Sequence, residues 1–488
     1  MAPSLSVPKG TPFASLPCTL GGLLFTLAVT ACGSSEPCAG ASCDADETVY
    51  LAPNGDDEAP GTREKPVRTV RTAIRLAAHA RRLEVHAAVG TYDEPEPIVW
   101  PDGVRFEGGY MLDGWRHDPE AYSEVRGAEL AIVVRDAKVT GALRGVRVVA
   151  RDATSPGQAS IAVWVSGTEA FRFDHVELRA GRGAAGVDAA AERFDPTVLD
   201  GKPGVDGKGG AADGENKAGR GGDGGQNARC PTARGGAGGS GGQRYTAFAG
   251  VNGRASPGGA AGGKGAAENG CRGLGGTNAD GVAREGAPGK AGALGPDLGR
   301  WDSASARYLA SAGGAGEAGE DGVGGGGGGG GSGQTGLLCT DGAGNGGGGG
   351  GAGGCGGRAG NGGGGGGASI AMLVENSNPI LDRVVLATAS GGAGGAGTAG
   401  TRGGRGAKAG VGAAVGLDEV GRGGNGHAGA DGGAGGHGAG GSGGPSLGQW
   451  VLSGKVEATN VKYEIGPGGA GGGGPLPGAT GKRAERVP

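Results

Sequence analysis

Residues 324–331 are eight consecutive glycines, and no side-chain core can be built from such a run. The chain has 125 glycines, of which 97 fall in two stretches, 181–367 and 391–445, while the first 180 residues hold 17. Ordering a glycine costs about 0.5–1 kcal/mol more than ordering an alanine. For the clustered glycines that is on the order of 50–100 kcal/mol, against a net domain stability of about 5–15 kcal/mol. Such stretches therefore either stay disordered or pair nearly every backbone N–H and C=O in a regular lattice. Without Cβ atoms, extended three-residue-per-turn helices of the polyproline II kind can come close enough to hydrogen-bond to one another. Gly235–Gly242 and Gly391–Ala396 have a compatible triplet repeat. Packed glycine helices are expected in the clean triplet runs and disorder in stretches such as 187–220. Gly201-x-x-Gly204-x-x-Gly207 and Gly286-x-x-Gly289-x-x-Gly292 have a collagen spacing. Their register breaks within a few triplets, which a triple helix does not tolerate.

A second pattern lies under the glycine. Ala159-Ser160-Ile161-Ala162-Val163-Trp164-Val165 followed by Phe173-Asp174-His175-Val176-Glu177-Leu178 recurs as Ala368-Ser369-Ile370-Ala371-Met372-Leu373-Val374 followed by Leu381-Asp382-Arg383-Val384-Val385-Leu386. Its short form, apolar-x-x-Val-x-apolar, fits Leu143 to Val148, Phe173 to Leu178 and Leu381 to Leu386. Ala458 to Tyr463 is a weaker copy, preceded by Trp450-Val451-Leu452. Leu83-x-Val85 and Val104-x-Phe106 look like earlier turns. Apolar–polar alternation predicts strands, and recurrence of one strand-bearing unit predicts a solenoid whose coils bury an inner face against their neighbours. Long insertions on one flank leave such a stack intact. Stacking would also set Arg147 beside Glu177 at the outward middle position of adjacent strands, as a solvated surface ion pair.

Three resemblances extend this. Tyr50-Leu51-Ala52-Pro53-Asn54-Gly55-Asp56-Asp57, continuing through Pro60-Gly61-Thr62 to Pro66-Val67-Arg68-Thr69-Val70-Arg71-Thr72-Ala73-Ile74, resembles the N-terminal cap of right-handed parallel β-helix proteins of the pectin-lyase-like superfamily. Val70, Ile74 and Ala77 share one helical face, so a short helix is expected to cover the open end of the first coil. The triplet runs resemble the glycine-rich repeats of PGRS-type bacterial surface proteins. At the N-terminus, Lys9 and the apolar run 19–31 have the form of a secretory signal, too short to span a bilayer. Val29-Thr30-Ala31-Cys32 resembles the bacterial lipobox, which implies lipidation of Cys32 and anchoring by its acyl chains. Cleavage after Ala31 to give a soluble secreted protein is the alternative. Gly33 after the cysteine implies the outer membrane, by the same resemblance.

Cys18 leaves with the signal, so Cys38, Cys43, Cys230, Cys271, Cys339 and Cys355 remain as disulfide candidates in an exported chain. Local pairing, Cys38 with Cys43, Cys230 with Cys271 and Cys339 with Cys355, is one expectation among several. No CxxC occurs and no metal site or cofactor is expected. Gly258 to Gly265 nearly spells a P-loop but lacks the Ser/Thr that holds magnesium. Arg-Gly-Gly at Arg220, Arg234, Arg402 and Arg422 lacks interleaved aromatics, so nucleic acid is not an expected partner. Asp56-Asp57-Glu58, and Asp431 with His427 and His437, are acidic or mixed clusters without a calcium-loop pattern. The weak catalytic candidates are Asp174, His175, Glu177 and Asp382, with Arg383, because β-helix polysaccharide lyases and glycosidases use clustered carboxylates or a basic residue over a groove.

The sequence is thus read as an all-β chain, a short right-handed parallel β-helix with a helical cap and long glycine-rich inserts. The expected organisation is a lipoprotein signal peptide (1–31), a tether (32–47), cap and first coils (48–180), a glycine-rich insert (181–367), a coil (368–390), a second insert (391–445), a last coil (446–465) and a glycine-rich, basic tail (466–488). The expected role is non-catalytic binding or structure at a bacterial cell envelope, with the membrane, polysaccharide or surface proteins as partners. A polysaccharide lyase or glycoside hydrolase on the same fold, and a passive surface spacer, are the alternatives.

Overall fold

Alternating apolar residues build the strands of this computed structural model, which describes residues 48–488 except 81, 212–215, 244–247, 335–341 and 416–419. The chain runs through β1 (Thr48–Leu51), α1 (Val70–Ala80), β2 (Glu84–Ala88), β3 (Thr91–Asp93), β4 (Ile98–Trp100), β5 (Arg105–Met111) and β6 (Arg116–His117). It continues with β7 (Ser123–Arg126), β8 (Leu130–Arg135), β9 (Gly141–Val149), β10 (Ser160–Ser166) and β11 (Phe171–Ala180). A hairpin, β12 (Arg300–Asp302) and β13 (Arg307–Leu309), lies inside the first glycine-rich stretch. β14 (Ser369–Glu375), β15 (Ile380–Thr388), β16 (Ser446–Val451), β17 (Glu457–Thr459), β18 (Lys462–Glu464) and β19 (Arg483–Val487) complete the order.

Two sheets result. The first has the path β1-β2-β5-β9-β11-β15-β17, the second β19-β16-β14-β10-β8-β4, and every pairing along both paths is parallel. From β2 onward the chain alternates between them. The recurring units are lattice neighbours: Val146 pairs with Val176 and Val176 with Val384, while Ile161 pairs with Ile370 across the whole first insert. One face of each sheet meets in a shared core that includes Phe106, Leu143, Phe173, Leu178 and Leu386 from the first, and Ile132, Val163, Val165 and Met372 from the second. The architecture is all-β with parallel sheets and a single α-helix among the described residues. That helix forms where expected. Val70, Ile74 and Ala77 are buried beside Val49 and Leu51 of β1. Its N-terminus is held from outside: the Asp57 carboxylate accepts from the Arg68 and Thr69 amides (3.0 and 2.8 Å) and Glu94 accepts from the Arg71 amide. Asp57, one of the calcium candidates, is therefore spent on backbone donors.

The glycine-rich stretches are ordered where they are described. Gly325, Gly328 and Gly331 donate to the carbonyls of Gly351, Gly348 and Asn345; Gly327 and Gly330 donate to Arg254 and Val251; Gly329 donates to Thr277. The same run accepts from Gly236, Gly239 and Gly242, from Gly263 and Ala266, and from Gly424 and His427. Every third residue faces the same neighbour, as three residues per turn require. The run 324–331 therefore touches six other segments, and the six-glycine run 346–351 does the same, bonding to segments around 205–208, 219–225, 236–239, 325–328, 407–413 and 424–427. Where there are fewer neighbours, side chains return. Gly201, Gly204 and Gly207 donate to Arg405, Lys408 and Val411, with Lys202 and Lys208 exposed between them. Gly286, Gly289 and Gly292 donate to Asp431, Ala434 and His437. The collagen-like spacing thus belongs to surface helices of a single-chain lattice.

Two expectations change. The stretch 187–220 is not disordered where it is described: Ala189, Val205 and Lys208 donate to Ala396, Asp223 and Arg220, and Asn345 lies under Gly210; residues 212–215 lie outside the described set. The tail 466–488 is a third, short glycine insertion. Gly469 and Gly472 donate to Gly444 and Gly441, and the chain then returns as β19 beside β16.

An alanine Cβ at Gly328 would overlap the carbonyl of Gly424, whereas Gly473 has nothing within 4 Å of that position. Gly328→Ala is expected to lower the unfolding free energy by more than about 4 kcal/mol or abolish soluble protein, and Gly473→Ala to shift it by less than about 0.5 kcal/mol. Urea unfolding of the two variants checks this, and equal stabilities would refute the six-neighbour packing.

Candidate functional site

The sequence-predicted acids lie on the outer face of the first sheet, where parallel register stacks residues of successive strands. Glu107, Arg144, Asp174 and Asp382 form one file, from β5 to β15, and Glu124, Arg147, Glu177, Val385 and Lys462 form the next. Charge alternates over the first three members of each file; beyond them Asp382 is a like-charged neighbour of Asp174, and uncharged Val385 separates Glu177 from Lys462. Arg144 bridges Glu107 (3.1 Å) and Asp174 (3.5 Å), and Arg383 reaches Asp174 at 2.6 Å. The Arg147–Glu177 pair forms as stacking requires, at 2.6 Å, and Arg179 adds a second guanidinium at 3.0 Å. Both principal carboxylates are thus held between two arginines. Arg383 also lies 3.8 Å from Asp382.

Burial opposes ionisation of Glu177, but the hydrogen bonds from Arg147 and Arg179 outweigh it and hold its carboxyl below the usual value. A carboxyl held ionised in this way is a poor proton donor at neutral pH. His175 sits apart in role. Its φ of 53° places it in the left-handed region, level with Gly145 (60°) and Arg383 (51°), at a bend shared by the stacked strands β9, β11 and β15. Its ring packs on Tyr122 at 4.5 Å. An adjoining cluster, without a motif in the sequence, has Tyr110 donating to Glu107 (2.8 Å), His117 3.6 Å from Glu107, and His86 stacked on Tyr110. Its signal was present only as outward polar residues of three strands, and it takes the register of β2, β5 and β6 to bring them together.

The remaining candidates are scattered. Asp431 accepts from the Gly406 amide and His437 from the Gly400 amide, while the His427 ring lies 2.9 Å from the Ala428 carbonyl, so the mixed cluster serves the lattice edge. Lys264 of the P-loop-like segment donates its amide to Thr277, and Gly263 donates to Gly327, within the lattice. Cys230 is bonded to Cys355, 125 residues away, which replaces the expected local pairs Cys230–Cys271 and Cys339–Cys355. Cys271 is also disulfide-bonded. Asp321 lies beside the Cys230–Cys355 pair, whose sulfurs are committed to each other. Cys32, Cys38, Cys43 and Cys339 fall outside the described residues. Among the described residues no helix is long and apolar enough to cross a membrane.

A family model described as "Protein of unknown function (DUF1565)" matches residues 53–128, from the segment before α1 to just past β7. No curated protein and no solved structure matches the chain.

Glu177→Gln is expected to cost about 1–3 kcal/mol at pH 7, since it removes a charge-assisted acceptor shared by two guanidiniums. The sign follows from the depressed folded-state value: the contribution is complete above the ordinary carboxylate value of 4.5 and fades as the pH falls below it. Unfolding titrations of wild type and variant should therefore converge under acid conditions, and a gap unchanged by acid would contradict the ladder.

Proposed function

We propose that this chain is a lipid-anchored bacterial cell-envelope protein that attaches to surface polysaccharide without transforming it. In this reading the two parallel sheets are successive faces of a short right-handed β-helix, covered at one end by α1. The glycine lattice is a stiff slab carried by that frame. At about 3.1 Å per residue, the segment 342–367 alone would extend roughly 80 Å. The observation that carries the non-catalytic role is the charge ladder: Asp174 and Glu177, the acids best placed for hydrolysis or elimination, are each engaged by two arginines. Catalytic carboxylate pairs instead need one member poised to give a proton and the other free to act as base or nucleophile. The anchor rests on the lipobox-like Val29-Thr30-Ala31-Cys32, and the outer membrane on the Gly33 that follows.

Two measurements test this reading. Cys32→Ser should move the protein from the membrane fraction to the soluble fraction, and an unchanged partition would remove the anchor. The soluble form, residues 33–488, should be retained by at least one member of a panel of bacterial and plant polysaccharides with no new chain ends. New ends would establish the enzyme instead, and absence of any retention would leave a passive spacer.

A further inference from the structure

The second sheet is covered on both faces. Its outer side presents Ile161, Trp164, Ile370, Leu373, Leu447 and Trp450, and the β12–β13 hairpin lies over them. Trp301 packs edge-on to Trp164 at 5.0 Å, and Tyr308 faces Trp450 at 6.3 Å. The hairpin does not seal this side completely. A cleft of about 790 Å³ remains between it and the turns that feed β4, β8 and β10, a volume typical of small-molecule sites. Adjacent strands of a sheet lie about 4.8 Å apart. One wall is therefore a stack of equivalent turns, at Pro95–Pro97, Ala128–Leu130 and Ser155–Ala159, and the opposite lip is Ser305–Ala310.

We infer that this cleft is a binding site for a short stretch of a neutral or amino-bearing oligosaccharide; the inference rests on the polysaccharide-attachment reading and gives it a location. Four observations support it. Trp301 and Tyr308 line the cleft with ring edges, being only 7% and 8% exposed, and Leu130 and Leu309 add apolar surface for the C–H groups of a sugar ring. The Trp301 indole N–H has no acceptor in the protein and is closed to solvent, so a small turn of the ring that lines the cleft would let it reach a ligand hydroxyl. Glu129, Gln158 and Arg307 bring acceptors and donors to the same walls, as hydroxyl recognition requires. Of the charged side chains that line it, Glu96 and Glu129 outnumber Arg307, so the cleft disfavours uronic-acid polymers and tolerates a protonated amine.

The test uses residues 33–488 with two probes, an N-acetylglucosamine tetrasaccharide and a galacturonate tetrasaccharide, read by calorimetry and by the Trp301 indole N–H resonance. That resonance is assigned from its loss in Trp301→Phe. The proposal expects the neutral tetrasaccharide to bind and to shift that resonance. It also expects Glu129→Gln/Arg307→Ala to weaken binding at least tenfold with an unchanged unfolding midpoint, which is reasonable because neither side chain forms a described ion pair. Unchanged affinity in the double variant, or a stationary Trp301 signal, would overturn the cleft while leaving surface attachment standing. Tighter binding of the galacturonate would overturn the ligand class, and no binding of either probe or of any polysaccharide in the panel would overturn both readings.

Discussion

The contact on which the structure depends is a backbone N–H···O=C bond made across a gap too narrow for a Cβ. In the run 324–331 each of the three residue faces both donates to one segment and accepts from another, which leaves room for hydrogen atoms only. This is why the glycine is distributed as it is. An inner helix with six neighbours is pure glycine, and a surface helix keeps glycine at every third place and bears Lys202, Lys208 or Lys290 at the others. Ala315 and Ala318 are exposed and lie on a row whose described backbone partners begin only further along, at Gly327 and Gly330, and a side chain there also prevents another helix from docking, much as charges blunt a sheet edge. Outward amides are capped by short polar side chains: Thr398 and Thr401 accept from Asn361 and Arg358, and Asp200 and Asp206 accept from Arg405 and Val411. The Cys230–Cys355 bridge ties a surface turn to an inner helix, and in the chain-entropy view a closure this long contributes several kcal/mol by restricting the unfolded chain.

Lattice and sheets are one structure. All three glycine-rich segments leave after a strand of the first sheet (β11, β15 and β18) and return into a strand of the second (β14, β16 and β19). They grow from one junction of the repeating path, so the parallel ladders close beneath them without interruption. The inserts give something back: the β12–β13 hairpin brings Trp301 and Tyr308 onto the outer face of the second sheet, which is why β10, β14 and β16 are buried on both sides. Among the described residues nothing comparable covers the outer face of the first sheet, which carries arginine–carboxylate pairs instead.

Much of the frame was legible in the sequence. The apolar-x-x-Val-x-apolar units fall in register, α1 buries the residues that its periodicity selects, and Arg147 meets Glu177. These depend on local alternation and on the rule that equal units stack equally. The site was less legible. The arginines that engage Asp174 come from β9 and β15, and Arg383 lies far along the chain behind the first insert. Trp301 and Tyr308 sit in a stretch with no strand repeat, so their place over Trp164 and Trp450 had no sequence signal. The sequence left the disulfide pairing open, and its local option does not form, because nearness in sequence is no guide in a lattice where segments 125 residues apart are neighbours.

The sequence by itself determined that glycine would cluster apart from a strand-forming frame, that ordered glycine would need a three-residue repeat with its backbone paired, and that the strand units before and after the first insert would stack. Those follow from the absent Cβ and from side-chain alternation, which act over a few residues. Only the tertiary structure decided which glycine run is central, which cysteines join, which acids are neutralised and where a cleft remains. Each of these depends on the number and identity of neighbours around a segment, and that is set by how distant hairpins pack together, for which glycine, lacking a side chain, supplies no local code.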